Sequence, residues 1–482
     1  MSIKRGPNAE VLEAQARVCT GPHQTRPLGL KPGDPQPQRI LELILQSLGG
    51  QLPLAECVSE AQMGAFFAAM TLRLGFGEKT RWSPAEEHAF ALYRSELERQ
   101  LPPSVRFLMN PQGGYEPETD ADCLVVEALR QILRGRHLEY ERARQVLEAV
   151  LSGQVQEALQ AAVLIGQRMN LESYDEVRAY LDAARGPEQV IPVAVKSLTH
   201  WGQPFDGATR YFRPTLFVAA VRAALGRASV LHGVPTMPPK MGVTEEAVLE
   251  AVGARTDLTL SQAAALLEDP EVGFAYVSQR LYAPGLYRLM TLRQHIKKRP
   301  PWATTEKAQQ LFGAQGANYM VCGFYHLGYE ETLLNLMWER AFTAGLVIKG
   351  QEGSSHYALR LGKKSDARRK AVNYAGGFRR VGAQRCDFEV DVDPCQWGLA
   401  YDQDPRPETV SAPAFAQLGW EALCGQRGPA FDSIVLNVGM TDHLLGLCPD
   451  PGQALEEARV AIDSGAALGR LRVYIEKSRR LV

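Results

Sequence analysis

Two segments near the end of the chain decide the fold: Leu436-Asn437-Val438-Gly439, and Ala454-Leu455-Glu456-Glu457-Ala458-Arg459-Val460-Ala461-Ile462-Asp463-Ser464-Gly465-Ala466-Ala467-Leu468. In the second segment apolar residues recur every three or four positions, with charged residues between them. This spacing predicts one amphipathic helix. The short apolar run 433–436 predicts a strand before Asn437, which would end either beside a ligand pocket or in a simple turn.

Composition describes an ordinary globular protein. The chain has 482 residues, so we expect two or three domains, and its 53 basic and 54 acidic residues give a net charge of −1. That balance provides no overall attraction for nucleic acid or an anionic membrane. The eight cysteines form no Cys-x-x-Cys pair, and the polar N-terminus shows no secretory signal. We therefore expect a cytoplasmic protein with reduced thiols and no membrane partner.

The pattern along the chain predicts three regions. Residues 1–37 are rich in proline and predict an extended arm. Residues 38–186 have helical spacing and an imperfect repeat, because residues 58–67 align with residues 155–164 at an offset of 97. From residue 187 to 482, short β-branched or apolar runs alternate with helical segments, at 190–195, 229–231, 319–324, 346–348 and 433–436. This alternation predicts an α/β domain with a mainly parallel sheet.

The tail resembles the terminal helix of the anthranilate phosphoribosyltransferase family, which is glycosyltransferase family 3. The second helical copy resembles the family's N-terminal helical domain, through Leu138-Glu139-Tyr140-Glu141, Arg168-Met169-Asn170 and Glu172-Ser173-Tyr174-Asp175-Glu176-Val177. The resemblance implies a class IV phosphoribosyltransferase or nucleoside phosphorylase-like fold and a homodimer formed through the helical domain. It also implies a glycosyltransferase reaction related to tryptophan biosynthesis, in which a nitrogen nucleophile displaces pyrophosphate from the ribose C1 carbon.

Two loops correspond to the family's phosphate-binding elements. Residues 200–210 stand where the family has a Gly-Thr-Gly-Gly-Asp loop whose backbone N–H groups bind the pyrophosphate of phosphoribosyl pyrophosphate. Pro204 lacks an N–H group, and in the second loop a leucine, Leu231, replaces the first residue of a Lys-His-Gly element. The residues that the resemblance retains as phosphoribosyl or phosphate ligands are Asp206, Gly207, His232, Gly233 and Lys240.

Three further residues are candidates for binding an anion or the acceptor substrate. Arg293 resembles the helix arginine that binds the anthranilate carboxylate in the family, and Arg299 resembles the arginine that follows it. Asn437 is the third candidate, from the turn or strand end described above.

The resemblance also implies a magnesium site. Residues 346–354 stand where the family has Gly-x-Asp-Glu-x-Ser, whose adjacent carboxylates bind the Mg²⁺ that neutralises the leaving pyrophosphate. Only Glu352 remains, and Gly353 stands where the second acid is expected. We therefore expect a weakened Mg²⁺ site and no other cofactor.

A basic segment covers residues 357–385. Between 360 and 385 there are nine basic residues against one acid, Asp366, with aromatic residues interleaved. Such a composition suits the binding of phosphate backbones and unpaired bases, or else a solvated loop balanced by acids elsewhere. The nucleic-acid candidates are Lys363, Lys364, Arg368, Arg369, Lys370, Arg379 and Arg380.

Three functional hypotheses follow. The first is a divergent family member that binds a phosphoribosyl or nucleotide-like ligand and is not a conventional anthranilate phosphoribosyltransferase. The alternative is a non-enzymatic protein on the same dimeric scaffold that binds single-stranded nucleic acid. The third is a nucleoside phosphorylase, since that group shares the fold.

Overall fold

The computed structural model describes residues 6–360 and 373–481. Its helices are α1 Ala9–Val18, α2 Pro37–Leu48, α3 Glu60–Arg73, α4 Pro84–Gln100, α5 Pro103–Met109, α6 Asp120–Ile132, α7 Tyr140–Ser152, α8 Glu157–Asn170, α9 Tyr174–Ala184, α10 Thr215–Ala224, α11 Glu245–Ala251, α12 Leu260–Glu268, α13 Gln279–Tyr282, α14 Pro284–Arg288, α15 Met290–His295, α16 Trp302–Thr305, α17 Tyr329–Glu339, α18 Ala412–Leu423, α19 Pro429–Leu444, α20 Pro451–Asp463 and α21 Ala466–Arg480. Its strands are β1 Ile191–Val193, β2 Ser197–Gly202, β3 Ala228–Gly233, β4 Phe274–Ser278, β5 Phe312–Ala314, β6 Ala317–Gly323, β7 Ala344–Ile348, β8 Tyr374–Val381 and β9 Gln384–Asp391.

The chain divides into a helical unit and an α/β unit. The helical unit is Met1–Ala184 with Gly285–Ala303, and the α/β unit is Arg185–Pro284 with Thr304–Val482. The excursion 285–303 differs from the sequence prediction, which placed it in the α/β domain. It joins the helical unit through contacts distant in sequence: His295 Nδ1 lies 2.7 Å from Ser59 Oγ, and the Trp302 indole N–H donates to the Tyr180 carbonyl at 2.7 Å. Local sequence pattern cannot reveal such contacts.

The predicted N-terminal arm is wrong for its first half, which forms helix α1. Asn8 caps this helix, since its side-chain oxygen accepts from the Val11 N–H at 3.1 Å. The Gln15 amide donates to the Gln62 carbonyl at 3.1 Å, so α1 packs on α3. The prolines that follow this helix favour an extended arm, whereas Asn8 is the sequence signal for the start of a helix.

The two aligned copies of the repeat become helices α3 and α8. Both have 14 residues, and their bounds differ by the same 97 positions. They pack so closely that a Cβ on Gly64 would overlap the backbone of Ala158. The small residues of each copy are therefore buried against the other copy within one chain.

The duplication extends to the helices that follow. In α4 and in α9 a buried glutamate in the first turn, Glu86 or Glu176, accepts a backbone N–H from an earlier loop. The Leu28 N–H donates to Glu86, and the Leu138 N–H donates to Glu176, each at 3.0 Å. The side-chain partners differ, since Arg73 lies 2.6 Å from Glu86 and His137 Nδ1 lies 2.8 Å from Glu176. The copies therefore share backbone architecture while the side chains that contact the glutamate differ.

The α/β unit is built on a sheet of order β4-β3-β2-β6-β7-β8-β9. Neighbours from β4 to β7 run parallel, whereas β8 is antiparallel to β7 and β9 is antiparallel to β8. Strands β1 and β5 form a separate parallel pair. A helical domain followed by an α/β domain with a mainly parallel sheet confirms the predicted fold class.

The C-terminal segments 433–439 and 454–468 differ from their prediction in two ways. Residues 433–436 lie inside α19 and do not form a strand. The prediction is wrong because this helix is buried on nearly all sides and so lacks the polar stripe that distinguishes a helix from a buried strand. The predicted single helix is two helices, α20 and α21, separated at Gly465, whose φ is 75°. A left-handed residue ends a helix, and glycine adopts that conformation without strain.

None of the helices formed by residues 6–360 and 373–481 is long and apolar enough to cross a bilayer.

Candidate functional site

Loops at the carboxyl ends of parallel strands are where ligands bind in sheets of this kind. Here the end of β3 and the loops that follow β2, β3 and β7 carry most of the sequence-predicted residues: Asp206, Gly207, His232, Gly233, Lys240 and Glu352. The structure therefore brings these residues to one edge of the sheet in the α/β unit.

Two backbone N–H groups of the loop after β2, those of Ala208 and Thr209, donate to protein acceptors. Residues 206–208 pair with residues 242–243 as an isolated antiparallel bridge, in which the Ala208 N–H donates to the Val243 carbonyl at 2.8 Å. The Gly242 N–H donates to the Asp206 carbonyl at 2.9 Å, and the Thr209 N–H donates to Glu352 at 3.2 Å. These donors are occupied by the protein itself.

Asp206, Gly207 and Lys240 are brought together by the same bridge. The Lys240 ammonium lies 3.6 Å from the Asp206 carboxylate, and the Lys240 side chain is 35% exposed whereas that of Asp206 is 7% exposed. Gly207 has a φ of 83°, and a Cβ there would overlap Gly242. Gly207 therefore serves the close approach of two backbone segments.

His232 and Gly233 end strand β3. His232 is fully buried, and its Nδ1 lies 3.2 Å from the Tyr282 hydroxyl. Burial lowers the pKa of His232 to about 3, and the neighbouring His200 adds to this effect. A neutral imidazole held by a tyrosine positions the strand end and does not supply a positive charge for phosphate.

Glu352 joins the loop after β7 to the loop after β2. One carboxylate oxygen accepts from the Thr209 hydroxyl at 2.7 Å, and Arg210 lies 3.8 Å from the same oxygen. Burial alone would raise the pKa of this carboxyl, but Thr209, Arg213 and Lys240 together lower it. The φ of Glu352 is 56°, an uncommon conformation for a residue with a side chain. The carboxylate is thus held in place by protein groups.

Glu352 offers one carboxylate oxygen to a cation. Within the part of the chain that the structure describes, no group of three or more His, Cys, Asp or Glu side chains could hold a metal ion by itself. Mg²⁺ is commonly held by one or two carboxylates together with water and substrate phosphates. One oxygen of Glu352 accepts from Thr209, whereas the other is buried and has no hydrogen-bond partner among the described residues. This donor set fits a weak Mg²⁺ site that a bound phosphate would complete.

Arg293 and Arg299 belong to the helical unit, so the structure does not group them with the residues above. Arg293 is buried on α15, whereas Arg299 follows that helix and is exposed. Both arginines therefore belong to a different unit from the sheet edge that carries the other candidates.

Asn437 lies inside α19 and not at the end of a strand. Its side-chain oxygen accepts from the Tyr357 N–H at 2.7 Å, and its amide nitrogen donates to the carbonyls of Tyr357 and Ser433 at 3.1 and 2.8 Å. The Asn437 side chain supplies the hydrogen bonds that a neighbouring strand would otherwise give to the backbone of Tyr357, so both its oxygen and its nitrogen are used within the fold.

The basic segment is described only in part. Lys363, Lys364, Arg368, Arg369 and Lys370 lie outside the described residues. Arg379 donates to the carbonyls of Leu444 and His443 at 2.9 and 2.7 Å. Arg380 stacks on Trp338, with its guanidinium carbon 3.4 Å from the ring centroid. Both arginines therefore make intramolecular contacts along β8.

Three residues that the sequence analysis did not select lie at the same edge of the α/β unit: Arg213, Glu245 and His356. All three are buried, and Arg213 is 4% exposed. Burial raises the pKa of the Glu245 carboxyl to about 7, although Arg213 opposes the shift, and burial holds the pKa of His356 well below its usual range. A lone arginine in the run Phe212-Arg213-Pro214, just before an apolar helix, was the available signal for Arg213. Glu245 reads as an ordinary first-turn acid and gives none.

Comparison with known proteins finds one matching family model and several similar sequences. Residues 126–186 match the family model described as the glycosyl transferase family, helical bundle domain. The chain is 25% identical over 360 residues to an anthranilate phosphoribosyltransferase of Stenotrophomonas maltophilia, covering 74% of this chain and 98% of that protein. A relative with the same description from Nitrosomonas europaea is 25% identical over 358 residues, covering 73% of this chain and 98% of the relative.

Solved structures show the same fold. The anthranilate phosphoribosyltransferase of Thermus thermophilus superposes with a TM-score of 0.58 at 22% identity, covering 75% of this chain and all of that one. The enzyme of Saccharomyces cerevisiae, solved in complex with PRPP and Mg, gives a TM-score of 0.58 at 14% identity, covering 75% of this chain and 99% of the other. The chain is therefore similar in sequence to anthranilate phosphoribosyltransferases over about three quarters of its length, and it shares their fold.

Proposed function

We propose that the α/β unit binds a phosphoribosyl or nucleotide-like ligand at the carboxyl edge of its parallel sheet, in a mode that differs from conventional anthranilate phosphoribosyltransferases. The ligand class comes from the relatives, one of which was solved in complex with PRPP and Mg. If the chain is active, the reaction is transfer of a pentosyl group to a nitrogen nucleophile, and catalysis rests on positioning and charge neutralisation.

The altered mode rests on one observation. The backbone N–H groups of Ala208, Thr209 and Gly242 donate to protein acceptors at 2.8–3.2 Å, so they are not directed at an incoming pyrophosphate. Closing the loop in this way stabilises the ligand-free edge. A phosphate group then has to be bound by side chains.

Ligand-dependent melting separates these alternatives. We expect phosphoribosyl pyrophosphate to raise the melting temperature of the full chain, because a ligand that binds only the folded state stabilises it. Since Glu352 is the single carboxylate left at the position of the expected Mg²⁺ site, the shift should depend only weakly on Mg²⁺ and should persist in EDTA. A shift that appears only with Mg²⁺ would support the conventional mode, and no shift at millimolar ligand would refute the proposal.

The variant Thr209→Val provides an internal check on the loop. It removes the hydroxyl that donates to Glu352 at 2.7 Å but leaves the backbone bridge of Ala208 and Val243 intact. We expect the affinity for phosphoribosyl pyrophosphate to change, because the loop after β2 is no longer attached to the loop after β7 through this hydroxyl. Unchanged affinity would place the ligand elsewhere.

The alternative of single-stranded nucleic-acid binding stays a separate proposal. It now depends on the five basic residues outside the described part, since Arg379 and Arg380 make intramolecular contacts. Salt-dependent binding of a short oligonucleotide should weaken when Arg368 and Arg369 are replaced by Ala, whereas Arg379→Ala should mainly lower stability. Binding that ignores the first pair of substitutions would contradict this alternative.

The homodimer is likewise a proposal, carried by the family resemblance. The small-residue helices α3 and α8 bury each other within one chain, so a second copy has to use another surface of the helical unit. Light scattering on the purified protein gives the molar mass directly. A mass near 53.1 kDa would show a monomer and refute the dimer.

A further inference from the structure

One buried arginine of the α/β unit makes no hydrogen bond among the described residues. All three guanidinium nitrogens of Arg213 are buried and lack such a partner. Arg222, in the same unit, is also fully buried, but it donates to Asp442, Ser229 and Thr199 at 2.7–2.9 Å. An arginine does not lose its proton in a protein, so Arg213 places a cation in the interior with its hydrogen-bond donors unused.

The surroundings of Arg213 contain matching unpaired groups. Its guanidinium carbon lies 4.6 Å from the centroid of the Phe205 ring, which supports one face of the cation. Both carboxylate oxygens of Glu245 are buried, and within residues 6–360 and 373–481 neither makes a hydrogen bond of normal length and angle. The charges that act on Arg213 are Glu245, Glu352 and Asp206, and Arg213 acts in turn on His356.

The loop after β7 also borders the cluster of Arg213 and Glu245, since Arg213 acts on His356 in this loop. Residues 353–359 are buried although they form no regular structure beyond a short turn, and such a segment is costly unless its backbone is paired. Side chains pair it: Asn437 holds the backbone of Tyr357, Asn373 that of Ala358, and Asp404 accepts from the Leu359 N–H. The segment thereby holds polar side-chain atoms in the interior, and those without a partner in the described part of the chain are Ser354 Oγ, His356 Nδ1 and Tyr357 OH.

Arg213 also stands immediately before a helix. Helix α10 has 10 residues and begins at Thr215, whose buried hydroxyl lies beside the Glu245 carboxyl and lowers its pKa against the effect of burial. The first turn of a helix directs N–H groups and a partial positive charge toward an anion. A cation and a helix N-terminus together favour an oxyanion, and the neighbouring Glu245 can donate a hydrogen bond when it is protonated.

We propose that Arg213, Glu245 and the segment 353–359 form a buried pocket for the oxyanion group of a small ligand, and that Arg213 replaces the loop backbone as the anion-binding group. The inference rests on the proposed function and deepens it. The shared chemistry is a planar or tetrahedral oxyanion that accepts two hydrogen bonds from one guanidinium, as carboxylates and phosphates do. Ligand entry requires the loop 206–210 to open, since the pocket atoms are buried.

The test compares Arg213→Met with Arg222→Met in the full chain, by calorimetric titration with phosphate, pyrophosphate and benzoate. We expect at least one oxyanion to bind the unmodified protein and to bind Arg213→Met at least roughly 30-fold more weakly. Preference for the phosphates or for benzoate identifies the source of the oxyanion. If an oxyanion binds the unmodified protein and Arg213→Met equally well, the pocket is refuted while the proposed function stands. If no oxyanion binds the unmodified protein, the pocket and the proposed function are both refuted.

Thermal unfolding gives a readout that needs no ligand. Because Arg213 makes no hydrogen bond among the described residues, Arg213→Met should lower the melting temperature less than Arg222→Met, which removes a direct partner of the buried Asp442. A fall of the same size in both variants would show that Arg213 has a structural role and would overturn the inference.

Discussion

Glu245→Gln should remove a pH-dependent loss of stability. In the folded chain burial raises the pKa of this carboxyl to about 7 from its ordinary value of 4.5. The folded state therefore favours the protonated acid, and the stability present below the unfolded pKa is lost as the pH rises through 7. At 1.36 kcal/mol for each pKa unit, the complete loss is about 3.4 kcal/mol, an upper estimate for a carboxyl that is 3% exposed.

The amide of the variant does not titrate, so the difference between variant and unmodified protein should grow with pH. From about pH 5 to about pH 8.5 we expect the free energy of unfolding to shift in favour of the variant by roughly 2.5 kcal/mol. Urea unfolding at a series of pH values measures this difference. Glu250→Gln is the control, because that residue is exposed on the same helix. A Glu245→Gln difference that stays constant over the range would refute the buried, partly protonated acid.

Three further substitutions test the packing that supports both units. Gly64→Val should lower the free energy of unfolding by about 2–3 kcal/mol, because α3 has to move away from α8; an unchanged urea midpoint would contradict the close packing. Arg73→Met should cost about 3–5 kcal/mol, since it leaves Glu86 buried without its partner at 2.6 Å, and a smaller loss in thermal unfolding would show that water reaches that carboxylate. Asn437→Leu should cost about 2–4 kcal/mol by leaving the Tyr357 N–H and carbonyl unpaired, and hydrogen exchange at residues 353–359 should rise; unchanged protection there would refute the pairing.

The scaffold was largely predictable from the family resemblance and from the alternation of apolar runs with helical segments. The parallel strands β3, β6 and β7 lie where short apolar runs predicted them. These predictions succeed because burial on both faces of a parallel sheet leaves a continuous apolar run in the sequence. The same signal failed at 433–436, since a helix buried on all sides produces an identical run.

The candidate site could be predicted only as a set of positions. Matching motifs identified Asp206, Lys240 and Glu352, and the structure brings all three to one edge of the sheet. Their partners were not predictable, because Thr209 and Glu352 are 143 positions apart in sequence and their contact depends on strand order. Arg293 and Arg299 matched family positions equally well, yet they belong to the other unit.

The sequence by itself determined the fold class and a set of candidate positions, because both depend on which residue stands at which position. Only the tertiary structure decided the contacts of those positions: the Ala208 and Thr209 N–H groups donate to Val243 and Glu352, and the buried Arg213 makes no hydrogen bond among the described residues. The physical reason is that the state of a donor or a charge depends on its neighbours and on burial, and strand order and packing determine both.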